Sequence, residues 1–334
     1  MKVRFWGTRG STPSSVTAAK VREKVTAALK AARGLDLCAP GAVEAFVDER
    51  LSFEACGTFG TNTSCVQLDA GDTDTYLLCD AGSGIRDFSA QLQAAGRLKH
   101  PATFHIVFSH LHWDHIQGFP FFAPAFMPQH TIILHSHHAD LEAAIRGQMA
   151  PPYFPIGFDA LPARILFDVT DCGGPFEWGG FTVRSIEQDH PGTSYGFRFE
   201  RAGHAVVYST DSEHKLDSSN GDYPFVSFFD GADVLIFDAQ YTLIDATFSK
   251  ANWGHSSNVM GVELAARAGV SHLVLFHAEP GSTDSALLAF EEATREYRDT
   301  LCGRKPALHR PGEDAFGSCL TKVTQAYDGL EIEI

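Results

Sequence analysis

The stretch FSHLHWDHIQG, residues 108–118, places three histidines and one aspartate within six positions, at His110, His112, Asp114 and His115. It begins at the end of an apolar run, FHIVF, that is typical of a buried strand. Neutral imidazoles and carboxylates are the ligands that divalent ions such as Zn²⁺ prefer. A loop also lets neighbouring side chains turn towards two different ions. The stretch therefore predicts a metal site at the end of a strand.

Several other short apolar runs also end in a residue that can bind a metal. Runs of four to six Val, Ile, Leu and Phe residues are typical of strands buried on both faces, and the helical patterns between them indicate an α/β fold. The ends of such strands converge on one rim of the fold. We therefore expect these strand-terminal residues to lie close together: Asp80 after TYLLC, His110 after FHIVFS, Asp211 after VVYST, Asp238 after VLIF and His277 after HLVLF.

The remaining periodicities predict helices and one hairpin. Helices are predicted at about 84–95, 139–149, 256–268 and 283–301. A β-hairpin is predicted around 181–200, with QDHPGTS as its turn. The segment at about 14–55 carries apolar residues at helical spacing, and we predict a helical insertion that serves as a lid, a dimer contact or a surface decoration. No linker divides the chain, so we expect residues 1–334 to form one domain.

Composition excludes several classes of protein. With 44% apolar and 20% charged residues the chain is globular, and its net charge of -15 argues against an extended nucleic-acid surface. It has no apolar run long enough for a membrane span and no apolar core in its first twenty residues, so we expect a cytoplasmic protein. The seven cysteines form no C-x-x-C pair, and we expect small buried hydrophobic side chains and not a disulfide framework.

The sequence resembles the metallo-β-lactamase superfamily. The hallmark H-x-H-x-D-H of that superfamily is matched by His110-Leu-His112-Trp-Asp114-His115. Its later hallmarks follow in order at His190 in QDHPG, Asp211 in YSTD and His277 in LVLFH. The resemblance also places Asp80, in LLCDAGSG, beside the site as a supporting residue and not as a ligand.

The resemblance implies a fold and a ligand set. The implied fold is an αββα sandwich, in which two mixed β-sheets are flanked by helices. Two divalent metal ions are implied, with zinc as the default and manganese as the alternative. One ion would be held by His110, His112 and His190, the other by Asp114, His115 and His277, and Asp211 would bridge them.

A second group of histidines lies in LHSHH, after the apolar run TIIL. No Asp-His pair follows His135, His137 and His138, and the later ligands do not require them. We therefore predict surface histidines.

The motif WGHSS, which contains His255, bears on the type of hydrolase. Together with IFDAQY, which contains Asp238, it resembles the extra histidine motif of the tRNase Z-like and cyclic phosphodiesterase-like branches. Many tRNA-processing relatives carry Glu where this chain has Asp238. A phosphodiester needs a proton or positive charge at its leaving oxygen, and a histidine oriented by a carboxylate can supply it. The alternative for His255 is a residue that flanks a helix and is satisfied by local backbone.

These observations favour a dinuclear metal-dependent phosphodiesterase, in which a metal-bridging hydroxide oriented by Asp114 attacks a small or cyclic nucleotide phosphodiester. The segment PPYFPIGFDALPARILFDV offers one Arg where a tRNA 3′ endonuclease needs a basic arm, so we rank that activity second. A lactonase or β-lactamase type of acyl hydrolase and a non-catalytic sensor are further alternatives. The expected partner is a small phosphodiester, with no membrane, and the resemblance implies a homodimer. Phe121, Phe122 or Phe126 would stack on a base or pack in the core.

Overall fold

The computed structural model describes residues 1–72, 74–215, 222–303 and 320–334. In these ranges it contains strands from both halves of the chain. The strands are β1 (Lys2–Gly7), β2 (Cys65–Asp69), β3 (Thr75–Cys79), β4 (Thr103–Val107), β5 (Thr131–Ser136), β6 (Arg164–Val169), β7 (Phe176–Trp178), β8 (Phe181–Gln188), β9 (Ser194–Arg201), β10 (His204–Ser209), β11 (Val234–Asp238), β12 (His272–Phe276), β13 (Lys322–Gln325) and β14 (Glu331–Glu333).

The strands form two mixed sheets of seven strands each. The order is β14-β1-β2-β3-β4-β5-β6 in the first sheet and β13-β12-β11-β10-β9-β8-β7 in the second. Strands β3 to β6 pair in parallel, as do β10 to β13, whereas the other pairs are antiparallel. Every residue of β11 and β12 is buried, as expected for parallel strands that are covered on both faces.

Helices cover the outer faces of both sheets. The helices are α1 (Ala18–Ala31), α2 (Ala42–Arg50), α3 (Phe53–Cys56), α4 (Ile85–Ala94), α5 (Trp113–Ile116), α6 (Leu141–Gln148), α7 (Pro224–Phe229), α8 (Asn258–Arg267) and α9 (Asp284–Gly303). Helices α4, α6, α8 and α9 confirm the four helical predictions, and the antiparallel pair β8 and β9 confirms the hairpin. Among the described residues, no helix combines the length and apolar character that crossing a membrane requires.

Three apolar layers hold the sandwich together. The middle layer lies between the sheets, where Phe5 of β1 and Phe276 of β12 have ring centroids 6.1 Å apart. Phe88 of α4 packs in the layer outside the first sheet, and Val262 of α8 in the layer outside the second. The arrangement confirms the predicted αββα sandwich.

Helices α1, α2 and α3 lie within the segment that the sequence predicts to be a helical insertion. Lys24 of α1 fastens this segment, because its Nζ donates to the carbonyl oxygens of Glu54 and Gly57 and to the Asp284 carboxylate at 2.6 to 2.7 Å. The apolar side chains Val21 and Leu29 of α1 are exposed. The segment therefore contacts α9 through this buried ion pair and through Phe53 of α3, which packs in an apolar cluster with Leu287 of α9.

The expectation for the cysteines was wrong for most of those described. Cys65 and Cys79 are buried, but Cys302 is disulfide-bonded. Three further cysteines are free and exposed: Cys38, Cys56 and Cys172. A single small side chain gains too little free energy from burial to decide its own location. Cys319 lies outside the described residues.

The prediction of surface histidines in LHSHH was wrong for His135. Its side chain is buried in β5, with Nδ1 2.7 Å from the Asp168 carboxylate and Nε2 2.9 Å from His105 Nδ1. Its ring also stacks on Trp178, and burial lowers its pKa to about 4. These partners come from β4, β6 and β7, which local sequence cannot identify as neighbours. His137 and His138 are half-buried.

Candidate metal centre

The seven predicted metal ligands lie together at one edge of the sandwich, and both sheets contribute to them. The first sheet supplies four through the loop and short helix α5 that follow β4: His110, His112, Asp114 and His115. The second sheet supplies three: His190 from the β8–β9 turn, Asp211 after β10 and His277 after β12. Six of them follow the ends of parallel strands that meet at this edge, and His190 reaches it from the turn of an antiparallel hairpin.

One cluster contains His110, His112 and His190, whose potential ligand atoms all lie within 4.8 Å of one another. His190 Nε2 is 3.1 Å from His112 Nδ1. Asp211 faces this cluster with Oδ2, which lies 3.8 Å from His110 Nε2 and 3.7 Å from His190 Nε2.

The other cluster contains Asp114, His115 and His277, again with ligand atoms within 4.8 Å. Asp114 Oδ2 lies 3.3 Å from His115 Nε2 and 3.2 Å from His277 Nε2. Asp211 faces these two rings with its other oxygen, Oδ1, at 3.3 Å from each Nε2. The carboxylate therefore presents one oxygen to each cluster, as a bridging ligand would.

The electrostatics of the clusters fit divalent metal ions. Burial lowers the pKa of His110 well below its usual value, so its imidazole is neutral, as a ligand must be. Burial would raise the pKa of Asp211, but His277 and His115 outweigh it and hold the pKa well below its usual range. Among the described residues, the buried nitrogens His110 Nε2 and His115 Nε2 have no hydrogen-bond partner. A buried nitrogen without a partner is costly, and metal coordination would satisfy both.

Asp80 supports this centre from behind His115. Its carboxylate lies 2.7 Å from His115 Nδ1 and accepts hydrogen bonds from Tyr208 Oη and from the Ser109 backbone and hydroxyl, at 2.7 to 2.8 Å. The contact fixes the tautomer in which Nε2 of His115 faces the cluster. The geometry agrees with the supporting position that the sequence predicts for Asp80.

The sequence predictions missed the loop that covers Asp114. The backbone N–H of Ser11 donates to Asp114 Oδ2 at 2.7 Å. A Cβ added to Gly10 would lie only 2.5 Å from the ring of His277, so the loop approaches the centre as closely as glycine permits. Nothing in the sequence indicated this contact, because Ser11 and Asp114 are 103 positions apart.

His255 and Asp238 also belong to this edge of the sandwich. His255 Nδ1 lies 2.8 Å from Asp238 Oδ2, and Asp238 is fully buried. A ligand-type atom of His255 lies within 4.8 Å of those of His190 and Asp211. Burial lowers the pKa of His255, but the Asp238 carboxylate outweighs it and raises the pKa to about 9. The structure thus brings the predicted pair together beside both clusters.

The three phenylalanines proposed for a base-stacking wall lie in different environments. Phe122 is fully buried and packs against Phe88 and Phe104, so it belongs to the core. Phe121 is 59% exposed and lines an apolar groove of about 530 Å³ together with Trp113. Phe126 is partly exposed but does not line that groove. A role in stacking is therefore open to Phe121 but not to Phe122.

Residues 75–278, which include all seven predicted ligands together with His255 and Asp238, match the family model described as the β-lactamase superfamily domain. The chain belongs to this superfamily. It is accordingly a metal-dependent hydrolase.

Other comparisons give more distant similarities. An uncharacterised protein of Mycobacterium leprae is 28% identical over 236 residues, which cover 69% of this chain and 75% of that protein. A ribonuclease Z of Thermoplasma volcanium is 30% identical over 142 residues, 42% of this chain, and the match spans 40% of that enzyme's length. The metallo-β-lactamase fold protein YhfI of Bacillus subtilis has a TM-score of 0.60 at 19% identity, covering 99% of this chain and 98% of that one. That likeness shows the fold.

Proposed function

We propose that the protein is a dinuclear metal-dependent phosphodiesterase that hydrolyses a small phosphodiester, with a cyclic nucleotide as the favoured substrate. The observation that carries the proposal is the His255–Asp238 pair beside both ligand clusters. Cleavage of a phosphodiester leaves an alkoxide that needs a proton, and a histidine oriented by a carboxylate supplies one. A lactone or β-lactam hydrolase has no comparable need for this pair.

His255 has the protonation state that such a donor requires. With a pKa raised to about 9, its imidazole is protonated at neutral pH. Asp238 occupies Nδ1 at 2.8 Å, which leaves Nε2–H as the donor for the leaving oxygen. Asp238 is itself held by the backbone N–H groups of Ser212 and Gln240. The pair is thus fixed before the substrate arrives.

The proposal assigns the ligands as the resemblance implies. One ion would be held by His110, His112 and His190, and the other by Asp114, His115 and His277. Asp211 would contact both ions. Zinc is the favoured metal and manganese the alternative. Bound ions would supply Lewis acidity and an activated water. Asp114, which accepts from the backbone of Ser11, would orient the attacking group.

The acidic character of the chain supports a small substrate. Binding of an extended RNA is driven by Lys and Arg side chains that displace counterions, whereas this chain has a net charge of -15. The similarity to a ribonuclease Z favours a second candidate, a tRNA 3′ endonuclease. The homodimer implied by the family resemblance also belongs to the proposal, and light scattering of the purified protein tests it.

The experiment is a substrate panel with a matched variant. Protein loaded with Zn²⁺ or Mn²⁺ is assayed with bis(p-nitrophenyl) phosphate, 3′,5′-cyclic nucleotides, a pre-tRNA and a lactone. We expect turnover of the first two and its loss in His112→Ala. Turnover that persists in that variant or after chelation would contradict the metal mechanism. A clear preference for the pre-tRNA or the lactone would instead replace the small phosphodiester as substrate.

A further inference from the structure

Glu213 joins three segments of the candidate centre, although the mechanism proposed above does not use it. The residue is buried, with 9% of its surface exposed. Its Oε1 accepts from the backbone N–H of Asn252 and its Oε2 from that of Gly254, both at 3.0 Å. Its own backbone N–H donates to the carbonyl of Asp189 at 2.8 Å. The residue therefore connects the chain after Asp211 with the turn before His190 and with the loop before His255.

The loop that Glu213 holds makes direct contact with a predicted metal ligand. The carbonyl of Gly254 lies 2.8 Å from His190 Nδ1 and accepts its N–H. The contact directs the other nitrogen, Nε2, towards His112 and the shared carboxylate. Gly254 has a φ of +82°, and a Cβ at this position would lie 2.3 Å from His190 Nδ1. The position of one peptide group thus determines how His190 faces the cluster.

Ser256, at the far end of the same loop, is held by hydrogen bonds that do not involve the Glu213 side chain. Ser256 Oγ donates to the carbonyl of Ser212 at 2.6 Å and accepts from the backbone N–H of His214 at 2.9 Å. Loss of the Glu213 carboxylate would therefore release residues 252–254 without detaching residue 256. We expect a local displacement and not an unfolded loop.

We propose that Glu213 is a positioning residue that sets both the metal ligand His190 and the proton donor His255 through the peptide groups at 252–254. The half of this inference that concerns His255 rests on the proposed phosphodiesterase function, whereas the half that concerns His190 does not. A carboxylate accepts two backbone N–H groups at once, and such charge-assisted bonds are stronger than neutral ones. A glutamine offers one acceptor oxygen, so its NH₂ group would face the second N–H and repel it.

The experiment compares Glu213→Gln with Asp284→Asn. Asp284 is a matched control, because it is also a buried carboxylate that accepts a backbone N–H, from Phe59, but it supports Lys24 and Thr58 and not the centre. Both variants and the wild type are measured for Tm, for zinc binding by calorimetry after chelation, for the absorption spectrum with Co²⁺, and for kcat and KM on bis(p-nitrophenyl) phosphate.

For Glu213→Gln we expect zinc affinity at one of two sites to fall about 10- to 100-fold, with a changed Co²⁺ spectrum. Its kcat should fall about 10-fold or more. KM should change by less than about 3-fold, because we do not expect the substitution to alter substrate binding. Asp284→Asn should lower Tm but keep zinc affinity, spectrum and kcat. If Glu213→Gln does not fold, Glu213→Asp, which keeps the charge but is one methylene shorter, takes its place.

Wild-type zinc affinity and kcat in the folded Glu213 variant would overturn the inference. Equal losses in Asp284→Asn at an equal fall in Tm would overturn it too, because they would make the effect one of general stability. If the wild type hydrolyses no phosphodiester, the proposed function fails. The zinc titration and the Co²⁺ spectrum would still decide whether Glu213 positions His190.

Discussion

At the scale of single residues, the proposed chemistry depends on the protonation state of His255. The Asp238 carboxylate raises its pKa to about 9, so the protonated form is present below that pH and is lost as the pH rises through it. We expect kcat to fall on the alkaline side for this reason. In Asp238→Asn the carboxylate charge is absent, so the pKa of His255 falls and the alkaline limb moves to lower pH. Profiles of kcat against pH, measured at saturating zinc, test this shift.

His255→Ala is the control for those profiles. It should lose the alkaline limb altogether and lower kcat by about 100-fold, a typical contribution of a positioned acid. Metal content, measured by elemental analysis, should stay as in the wild type. An identical pH profile in Asp238→Asn would contradict the role of the pair, and loss of metal in His255→Ala would make His255 a ligand.

At the scale of secondary-structure elements, the centre depends on abrupt turns at strand ends. Asp80, Asp211 and His277 follow β3, β10 and β12 with φ of 61°, 53° and 62°. A residue with a side chain costs of order 1–3 kcal/mol in this left-handed region, and such strain persists only where the surroundings hold it. At Asp80, contacts of the side chain with Ser109, His115 and Tyr208 hold the backbone in this conformation. The turns direct these side chains across the edge of the sandwich.

Gly254 and Gly203 provide a test at this scale, because both have left-handed backbones, with φ of +82° and +84°. A Cβ added at Gly254 would lie 2.3 Å from His190, whereas a Cβ added at Gly203 would point into open space. Both alanine variants should therefore lose about 1–2 kcal/mol of stability from backbone strain. Only Gly254→Ala should also weaken zinc binding and lower kcat. Urea unfolding and zinc titration measure the two effects, and normal zinc binding in Gly254→Ala would refute the contact with His190.

At the scale of the whole molecule, local sequence could predict the parts of the centre that depend on strand ends. The cluster from His110 to His115 is contiguous, and the run before Asp211 or His277 has the composition of a buried parallel strand. Sequence could not predict that Ser11 contacts Asp114, or that Tyr208 contacts Asp80, because each pair is separated by more than one hundred positions. His135 was misplaced because its partners lie on three other strands, with His105 30 positions and Asp168 33 positions away.

Acid sensitivity is a second property of the whole fold, and His272 contributes to it. Burial, assisted by Lys322 and Arg295, lowers its pKa from 6.5 to about 4, so it is neutral in the folded protein. Below pH 6.5 the unfolded chain takes up a proton that the folded chain does not, and stability falls as the pH drops towards 4. Between pH 7.5 and pH 5 we expect a loss of about 2 kcal/mol from this residue.

His272→Gln lacks this titration and can keep a hydrogen bond to Thr324, which His272 contacts at 2.9 Å. Its free energy of unfolding should therefore decline less than that of the wild type over the same interval. Urea unfolding of both proteins, with metal removed by a chelator, isolates the difference. Parallel declines would show that His272 is not protonated selectively on unfolding.

The division of the donor atoms between the two sheets has a mechanical consequence. His110 to His115 belong to one layer, and His190, Asp211 and His277 belong to the other. An ion bound among them would tie the two layers together, in addition to the backbone hydrogen bonds that Thr8 and Gly10 make with Ala278 at this edge. The stiffness of that edge would then increase with the supply of metal around the protein.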